Sequence, residues 1–392
     1  MILGSRIRQW IVSRFIPPIR ADKAADVGIF LYACHKSAVL GGRAASPLTD
    51  PLIAALAPRP FLHTTFGQLK LLEVVPSMQL PHRINWFEFM ASCLCGSPAD
   101  KVDRQFVDSL LTPLLCRPNR FLKLYKIRTF LVARYFALKF RDIAAACDSA
   151  YVVCYYSGAM LGVVRAFREL GKPVVDVQHG HLGPTHDAYN NAKAFSLGSL
   201  FQPTGFLVWS RSFGEYLEKT HGASWESTDY LHLRALAPAG RSTSQSPTIL
   251  FTLQSLVPLP QAVVDAVHRF PQLFWSFRPH PAQEDKDLPI ELELLRGLPN
   301  VQIADRAAPL GAALAASDLH ITVDSSAVHE AAALDKPSFI LDADYHVRFE
   351  EEIHKGLARF VPQSELCAAL QRFLEFPETS RIVPGSAPTS SG

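Results

Sequence analysis

Residues 319–342 read LHITVDSSAVHEAAALDKPSFILD, so that two short apolar runs enclose a segment with helical spacing. Buried strands of parallel sheets read as continuous apolar runs, and two parallel strands need a crossover connection, usually a helix. The runs 319–323 and 338–342 are therefore predicted strands, and Ala327–Leu334 is the predicted crossover helix.

The same unit recurs through the second half of the chain. Three further predicted strands precede it, TILFTL (248–253), LFWSF (273–277) and VQIA (301–304), with helical patterns at Gln261–Phe270, Leu288–Arg296 and Leu310–Ser317. Strands that alternate regularly with helices specify a doubly wound parallel sheet. The second half is thus predicted to be a Rossmann-like domain.

The first half carries a less regular set of the same elements. Its predicted strands are Asp26–Ala33, Ser149–Tyr156, Lys172–Gln178 and Phe206–Ser210, and its predicted helices are Pro51–Ala57, a segment from Tyr125, Ala159–Leu170 and 211–222. Residues 58–118 give no clear pattern. The stretch 235–247, ALAPAGRSTSQSP, is small, polar and proline-containing, which is typical of a linker.

We therefore expect an α/β protein of the GT-B kind, with two Rossmann-like doubly wound domains that face each other across a cleft. The N-terminal domain is predicted at 1–234, the linker at 235–247, the C-terminal domain at 248–380 and a disordered tail at 381–392. Open α/β sheets bind ligands outside the carboxyl ends of their strands. Residues that follow the predicted strands are therefore the candidate site residues.

Composition excludes several classes of protein. The chain has 392 residues, of which 48% are hydrophobic and 19% charged, so it can form two cores and is not a disordered chain. A formal net charge of +3 is too small for a surface that binds nucleic acid. The seven irregularly spaced cysteines match neither a disulfide framework nor a zinc site. We expect reduced thiols in a cytoplasm-like compartment.

Two basic segments without carboxylates, 1–20 and 117–141, could contact an anionic membrane on the inner face of the cell. Neither contains the unbroken apolar stretch of a signal peptide, and no run of about 18 uncharged apolar residues predicts a transmembrane helix. An ordinary amphipathic helix whose apolar face joins the core is the alternative for 117–141.

The first candidate loop, QHGHLGPTHDAYN (178–190), directly follows a predicted strand. A histidine titrates near neutral pH and can take a proton from an acceptor hydroxyl. We expect His179 to be this base, with Asp187 as second candidate. Asp176 is the third, although it is expected to point into the fold or to support a histidine.

Other residues of this loop are expected to surround the acceptor. They are Gln178, Gly180, His181 and His186, with the glycines letting the backbone turn tightly and approach a ligand. Imidazole and carboxylate are also metal ligands, but their order along the chain does not fix a tetrahedral geometry. No metal site is therefore predicted here.

The second and third candidate loops lie in the C-terminal half. In RPHP, prolines hold His280 in an extended conformation beside Arg278, an arrangement that suits a phosphate. Ser325 and Ser326 precede a predicted helix, where hydroxyls and backbone N–H groups can bind an anion, or where one serine is an N-cap. Glu330 could accept a ribose hydroxyl or be a solvated helix residue. The sequence Asp342-Ala343-Asp344 is assigned a loop role.

With its strand-QHG loop and with RPHP followed by DSSAVHEAAALDKP, the chain resembles two-domain GT-B glycosyltransferases. It most resembles bacterial surface-polysaccharide enzymes that use CMP-activated acidic sugars, the sialyl and Kdo transferases, over about residues 125–341. The resemblance implies that His280, Ser325 and Ser326 hold the phosphate and ribose of the donor, that Glu330 contacts the ribose, and that no metal or other cofactor is needed. The acceptor is expected to be a hydroxyl of a surface glycan or glycolipid. Asp335 stands where the family usually has glycine.

Three alternatives remain open. The strand-to-HG loop also resembles that of teichoic-acid glycerophosphotransferases, which would make CDP-glycerol the donor. A nucleotide-sugar 2-epimerase shares the two-domain architecture, and a non-catalytic nucleotide-binding subunit would bind a donor without turnover. The stereochemical outcome is open as well, because a retaining reaction through a covalent step would need a carboxylate such as Asp187.

Overall fold

The computed structural model describes residues 25–32, 38–40, 43–46, 48–56, 61–66, 78–80, 120–186, 188–189, 199–230, 233, 246–254, 257–280, 283, 288–305, 308–343 and 346–375. Segment 1–20, most of the expected linker and the expected tail lie outside these residues, as do Asp187 and Asp344. Internal contacts divide the chain into two compact units. Unit 1 comprises Met1–Ala33 and Leu48–Asp229, and unit 2 comprises Cys34–Pro47 and Tyr230–Gly392.

Unit 1 is built on a seven-stranded parallel sheet with the order β5-β4-β1-β6-β7-β8-β9. Its strands are β1 (Val27–Tyr32), β4 (Phe61–Phe66), β5 (Met78–Leu80), β6 (Ser149–Val153), β7 (Val174–Val177), β8 (Gly205–Val208) and β9 (Ser224–Ser227). Its helices are α1 (Asp50–Leu56), α2 (Arg120–Ala146), α3 (Gly158–Glu169) and α4 (Arg211–His221). The order of the strands reverses between β1 and β6, which makes their carboxyl ends the switch point of this sheet.

Unit 2 contains a six-stranded parallel sheet with the order β12-β11-β10-β13-β14-β15. Its strands are β10 (Thr248–Thr252), β11 (Phe274–Arg278), β12 (Val301–Ile303), β13 (Leu319–Thr322), β14 (Ser338–Ile340) and β15 (Ala358–Phe360), and an antiparallel hairpin of β2 (Ala38–Leu40) and β3 (Arg43–Ala45) accompanies them. Its helices are α5 (Gln261–Arg269), α6 (Ile290–Leu295), α7 (Leu310–Ala315), α8 (Ala327–Ala333), α9 (Glu350–His354) and α10 (Leu366–Glu375). Numbered within the unit, this order is the 3-2-1-4-5-6 of dinucleotide-binding sheets, and its switch point lies between β10 and β13.

The predicted α/β fold class is confirmed, and the predicted strands of unit 2 lie where the apolar runs placed them. The four predicted strands of unit 1 are all shorter than predicted, and two end early by two or three residues: β6 ends at Val153 rather than Tyr156, and β8 at Val208 rather than Ser210. Strands β2, β3, β4, β5, β9 and β15 were not predicted. In β9, the sequence SWES is mostly polar because the strand forms an exposed edge of the sheet.

Helix α2 packs closely against α3 in unit 1. A Cβ atom added at Gly162 would lie 2.3 Å from Phe136 Cβ and 2.7 Å from the Ala133 carbonyl oxygen, so glycine permits the close approach of the two helices. Phe130, Phe140 and other apolar side chains of α2 are buried in the unit. Because these side chains join the core of unit 1, the core-facing alternative describes residues 129–141 of segment 117–141. None of the described helices is both long and apolar enough to cross a membrane.

A buried histidine ties the strands of unit 2 together at the switch point. The His320 Nε2 atom lies 2.9 Å from Thr252 Oγ1 and its Nδ1 atom 3.0 Å from Ser338 Oγ, while the Thr322 hydroxyl donates to the Thr252 carbonyl over 3.1 Å. Complete burial lowers the pKa of His320 to about 3, so the ring is neutral and one nitrogen donates while the other accepts. These bonds fix the ends of β10 and β13 on which the site is built.

Candidate functional site

The strands β6, β7 and β8 end at the same edge of the sheet in unit 1. Val153 pairs with Val177, which in turn pairs with Leu207. The residues that follow β6 and β7 therefore leave the sheet side by side, since neighbouring strands are about 4.8 Å apart. The turn after β6, at the switch point, carries Tyr155 and Tyr156, and the loop after β7 begins with His179.

The Tyr156 hydroxyl lies between two imidazoles of the predicted loop. Its oxygen is 3.1 Å from His179 Nε2 and 3.3 Å from His186 Nε2. The Ala188 backbone N–H donates to His186 Nδ1 over 3.3 Å. The Nδ1 atom of His179 is buried. The structure thus brings together His179 and His186, two of the predicted site residues, around a tyrosine that we did not predict.

Asp176 belongs to a separate network beneath this loop. Its carboxylate accepts hydrogen bonds from the Tyr155 backbone N–H over 3.0 Å and from the Tyr189 hydroxyl over 2.7 Å. The Asp176 side chain is 1% exposed, and burial raises its pKa to about 7 despite the two donors. It points into the fold as expected. It supports tyrosines rather than a histidine, however, and it is too enclosed to be the acceptor's base.

Replacing Asp176 by asparagine is expected to remove a pH dependence of stability. The folded protein keeps the carboxyl protonated up to a pH of about 7, whereas the unfolded chain ionises it near 3.8, so stability falls as pH rises between these values. From pH 5 to pH 7 this loss is about 2 kcal/mol in the free energy of unfolding. Urea unfolding at both pH values should show the loss in the wild type and not in Asp176→Asn. Equal pH dependence in the two proteins would contradict the assignment.

Gln178 holds the loop rather than facing an acceptor, which corrects its predicted role. The side chain is 1% exposed; its Nε2 atom donates to the Gly180 carbonyl over 2.8 Å, and its Oε1 atom accepts from the Trp209 backbone N–H over 2.7 Å. The Trp209 indole N–H also donates to the Gln178 carbonyl over 3.1 Å. Because both strand ends are tied to Gln178, the residue that follows it, His179, has a fixed starting point.

The two glycines of the loop, Gly180 and Gly183, differ in what an added Cβ atom would contact. A Cβ atom at Gly183 would lie 2.5 Å from His181 Nε2, so the His181 ring packs over the Gly183 backbone and meets Phe213 edge-on. At Gly180 an added Cβ would meet nothing within 4 Å, so the expected tight turn does not explain this residue. His181 packs toward α4, whereas His186 faces Tyr156.

In unit 2, the pairing of strands brings the other two candidate loops to one edge. Thr252 of β10 pairs with Arg278 of β11 on one side and with Thr322 of β13 on the other. His280 follows β11 by two residues, and Ser325 follows β13 by three. The loops with the RPHP and serine motifs therefore leave the sheet on either side of β10, roughly 10 Å apart.

Arg278 and Glu330, one from each motif, lie close enough for their charges to interact. Burial lowers the pKa of Arg278, and the nearby Glu330 carboxylate opposes this effect. The guanidinium donates to the Asp305 carbonyl over 3.3 Å and to the Ala308 carbonyl over 2.6 Å. Arg278 thus uses part of its donors to hold the loop after β12, which corrects the expectation that it serves a phosphate alone. Glu330 is 8% exposed and therefore is not a solvated helix residue.

His280 lies in a turn that Gln283 closes. The Gln283 backbone N–H donates to the His280 carbonyl over 2.9 Å, and the His280 N–H donates to Gln283 Oε1 over 3.3 Å. Burial lowers the pKa of His280, so its ring is neutral at pH 7 and can donate one hydrogen bond. A bound phosphate would favour the protonated ring.

The two serines have different roles. The Ser325 hydroxyl accepts from the Ala327 backbone N–H over 3.2 Å, and the Ser325 N–H donates to the Thr322 hydroxyl over 3.1 Å. Ser325 therefore caps the start of α8, whereas Ser326 makes no capping hydrogen bond. The capping explanation thus accounts for one serine and not for the other.

An ion pair beside the serines was missed. Arg348 donates to both carboxylate oxygens of Asp324 over 3.0 Å. Burial raises the pKa of Asp324 to about 6 despite this arginine. A second buried pair joins His329 Nδ1 to Glu352 Oε1 over 2.8 Å. Asp324 directly follows the predicted strand 319–323, so its position could have identified it, whereas Arg348 and Glu352 have no such signal. Among the described residues, no cluster of His, Cys, Asp or Glu is suited to hold a metal ion.

Comparison with known proteins identifies the fold of the chain, through solved structures and not through sequence. No protein-family model matches the chain, and no curated protein is significantly similar to it in sequence. Among solved structures, the chain is similar to the UDP-GlcNAc 2-epimerase of Neisseria meningitidis bound to UDP-GlcNAc, with 13% identity, coverage of 91% of this chain and 95% of the other, and a TM-score of 0.55. The S. aureus MnaA–UDP structure gives 11% identity, coverage of 94% and 93%, and a TM-score of 0.54. At such identities the likeness concerns the fold alone, which is GT-B, with two Rossmann-like doubly wound units.

Proposed function

We propose that the protein is a glycosyltransferase that moves a sugar from a nucleotide-activated donor to a hydroxyl of a glycan or glycolipid. The supporting observation is that the loops with His280 and Ser326 leave the carboxyl edge of a sheet with dinucleotide-binding strand order, on either side of β10. This edge flanks the switch point between β10 and β13, where such sheets bind nucleotides. In this proposal unit 2 holds the donor, and unit 1 supplies the base.

The chemistry follows from the charge that develops during transfer. When the bond between sugar and phosphate breaks, negative charge grows on the leaving phosphate, and each positioned donor stabilises the transition state by roughly 3–4 kcal/mol. The neutral His280 ring, the Ser326 hydroxyl and the Arg278 guanidinium are donors of this kind. Glu330 is an acceptor for a ribose hydroxyl, and its charge is balanced by Arg278.

The acceptor's proton is assigned to His179. An imidazole is a suitable base at neutral pH, and positioned general bases contribute roughly 10²–10⁴ in rate. The carboxylate of the preceding strand, Asp176, is engaged by Tyr155 and Tyr189 and does not compete for this role. With His179 as the base, we propose direct displacement by the acceptor; a covalent step would need Asp187, which lies outside the described residues.

A nucleotide-sugar 2-epimerase is the second candidate, because the N. meningitidis protein of the same fold holds UDP-GlcNAc. Product analysis separates the two functions. The chain is incubated with CMP-, CDP-, UDP-, GDP- and dTDP-sugars, with and without a panel of oligosaccharide and glycolipid acceptors, and the products are identified by NMR. Donor consumption that needs an acceptor supports the transferase, and epimerised donor without an acceptor supports the epimerase. The resemblance to sialyl and Kdo transferases makes CMP the first donor to test.

Replacing His280 by alanine is expected to weaken nucleotide binding about 10- to 100-fold, because a hydrogen bond to a charged group contributes about 1.5–3 kcal/mol. Isothermal titration calorimetry with the tightest nucleotide of the panel measures the effect. His268→Ala is the matched control, since His268 is an exposed residue of α5 and its loss should leave the affinity unchanged. Wild-type affinity in His280→Ala would contradict the placement of the phosphate.

We also propose that the protein works in a reducing, cytoplasm-like compartment. Cys147, Cys154 and Cys367 are free thiols in the described structure, which supports a reducing cytoplasm. Contact with the inner face of a membrane is proposed for segment 1–20 only, because the described half of segment 117–141 is packed in unit 1.

A further inference from the structure

The His179 ring contacts the Tyr156 hydroxyl. The Nδ1 atom of the ring is buried, and its Nε2 atom faces the Tyr156 hydroxyl at 3.1 Å. A proton on the Tyr156 oxygen therefore has a direct path to Nε2. The Tyr156 side chain itself is only partly buried.

The hydrogen bonds around Tyr156 have a defined direction. Because the Ala188 N–H donates to His186 Nδ1, the neutral His186 ring carries its own proton on Nε2 and donates it to the Tyr156 oxygen. The Tyr156 hydroxyl keeps its own proton to donate, and its partners for this proton are His179 Nε2 at 3.1 Å and Cys154. Assigned from the network in this way, the chain runs from His186 through Tyr156 to His179.

The turn that carries Tyr156 is strained. Cys154 has φ = 65°, in the left-handed region that non-glycine residues seldom adopt. The Ser157 N–H donates to the Cys154 carbonyl over 3.1 Å, and α3 starts directly afterwards. Strain of this kind is held where the surrounding structure fixes it, typically at functional sites. The strained turn places Tyr156 at the switch point of the unit 1 sheet.

The Tyr156 hydroxyl is protonated at all working pH values. Burial raises its pKa well above the ordinary range, and the neighbouring Cys154, Asp176 and Tyr155 add to this effect. The phenol is therefore too weak an acid to act as a base by itself. It can pass a proton on only if a second base takes its own, and His179 is in position to do so.

We propose that Tyr156 is a further catalytic residue, which relays the acceptor's proton to His179. The acceptor hydroxyl gives its proton to the Tyr156 oxygen as the Tyr156 proton moves to His179 Nε2, so the acceptor oxygen becomes free to attack the sugar. The products of this step are an alkoxide-like acceptor, a neutral Tyr156 and an imidazolium at His179. The inference rests on the proposed function, since it assumes His179 to be the base.

The test combines turnover with a signature of the hydrogen-bond direction. Tyr156→Phe is expected to lower turnover about as far as His179→Ala does, and the double variant should lose no more than either single one, because the two residues act as a unit. In ¹⁵N NMR of histidine-labelled wild type, His179 should show an unprotonated Nε2 that accepts a hydrogen bond, and this shift should change in Tyr156→Phe. Tyr216→Phe on α4 removes a hydroxyl outside the site and should change neither readout.

Each outcome decides the relay. Wild-type turnover in Tyr156→Phe, with His179→Ala inactive, would overturn the relay and leave the proposed function intact. A protonated Nε2 on His179 in the free wild type would overturn it without any activity measurement, even if Tyr156→Phe did not fold. If the wild type transfers no sugar from any donor, the proposed function itself fails, and the relay fails with it.

Discussion

Turnover is expected to fall roughly 10²- to 10⁴-fold when His179 is replaced by alanine, while nucleotide affinity stays at the wild-type value. The base acts on the acceptor hydroxyl, whereas the nucleotide is assigned to unit 2, so the two measurements should separate. The loss follows from the position of His179 at the end of β7, where Gln178 fixes the backbone and Tyr156 fixes the ring. Initial rates with saturating donor and acceptor give the change in turnover, and calorimetry gives the affinity.

His268→Ala is again the control for this comparison, because it makes the same chemical change at an exposed position outside the site. Its rate and affinity should match those of the wild type. A His179→Ala protein that turns over at more than a tenth of the wild-type rate would remove His179 from the role of base. A His179→Ala protein that keeps its rate but no longer binds the nucleotide would contradict the assignment of the base to unit 1 and of the nucleotide to unit 2.

The second large effect is expected in stability, at Gly162 of α3. In a helix interior, alanine normally stabilises by about 1 kcal/mol relative to glycine. Here the new methyl group would lie 2.3 Å from Phe136 Cβ and within 3 Å of backbone atoms of α2, so the helices must separate. Overpacking of this kind costs about 1–3 kcal/mol. Gly162→Ala should therefore destabilise unit 1, although helix propensity alone gives the opposite sign.

Thermal and urea unfolding measure this effect, with Gly297→Ala as the control. An added Cβ at Gly297 meets nothing within 4 Å, so that variant should be unchanged or slightly more stable. Since α3 begins two residues after Tyr156, separation of α3 from α2 should also lower turnover. A Gly162→Ala protein as stable as the wild type would show that the two helices do not pack as closely as described.

The sequence was sufficient to predict five strands of unit 2, β10 to β14, because each lies in an apolar run of four to six residues between helices. The strands of a doubly wound sheet are buried on both faces. Their sequences are therefore continuous apolar runs. The same rule misjudged the end of β6. Tyr155 and Tyr156 are aromatic and extend an apolar run, so they were assigned to the strand, whereas they form the turn beyond it. Their importance was hidden by that assignment.

The side-chain partners could not be predicted in the same way. Asp176 and Gln178 carry polar groups next to a candidate loop, but their bonds to Tyr189 and Trp209 join residues that are 13 and 31 positions apart in sequence. Nothing in local spacing encodes such pairs. Arg278 likewise seemed ready for a phosphate, whereas part of its donors hold carbonyls 27 and 30 residues away. Position at a strand end identifies candidates, and three-dimensional contacts decide what they do.

The most direct test of the central claim is a crystal structure of the protein with the nucleotide that binds it most tightly. The account predicts a phosphate within hydrogen-bonding distance of His280 and Ser326, and a ribose hydroxyl on Glu330. A nucleotide bound elsewhere, with His280 and Ser326 more than one hydrogen-bond length from any phosphate oxygen, would contradict it.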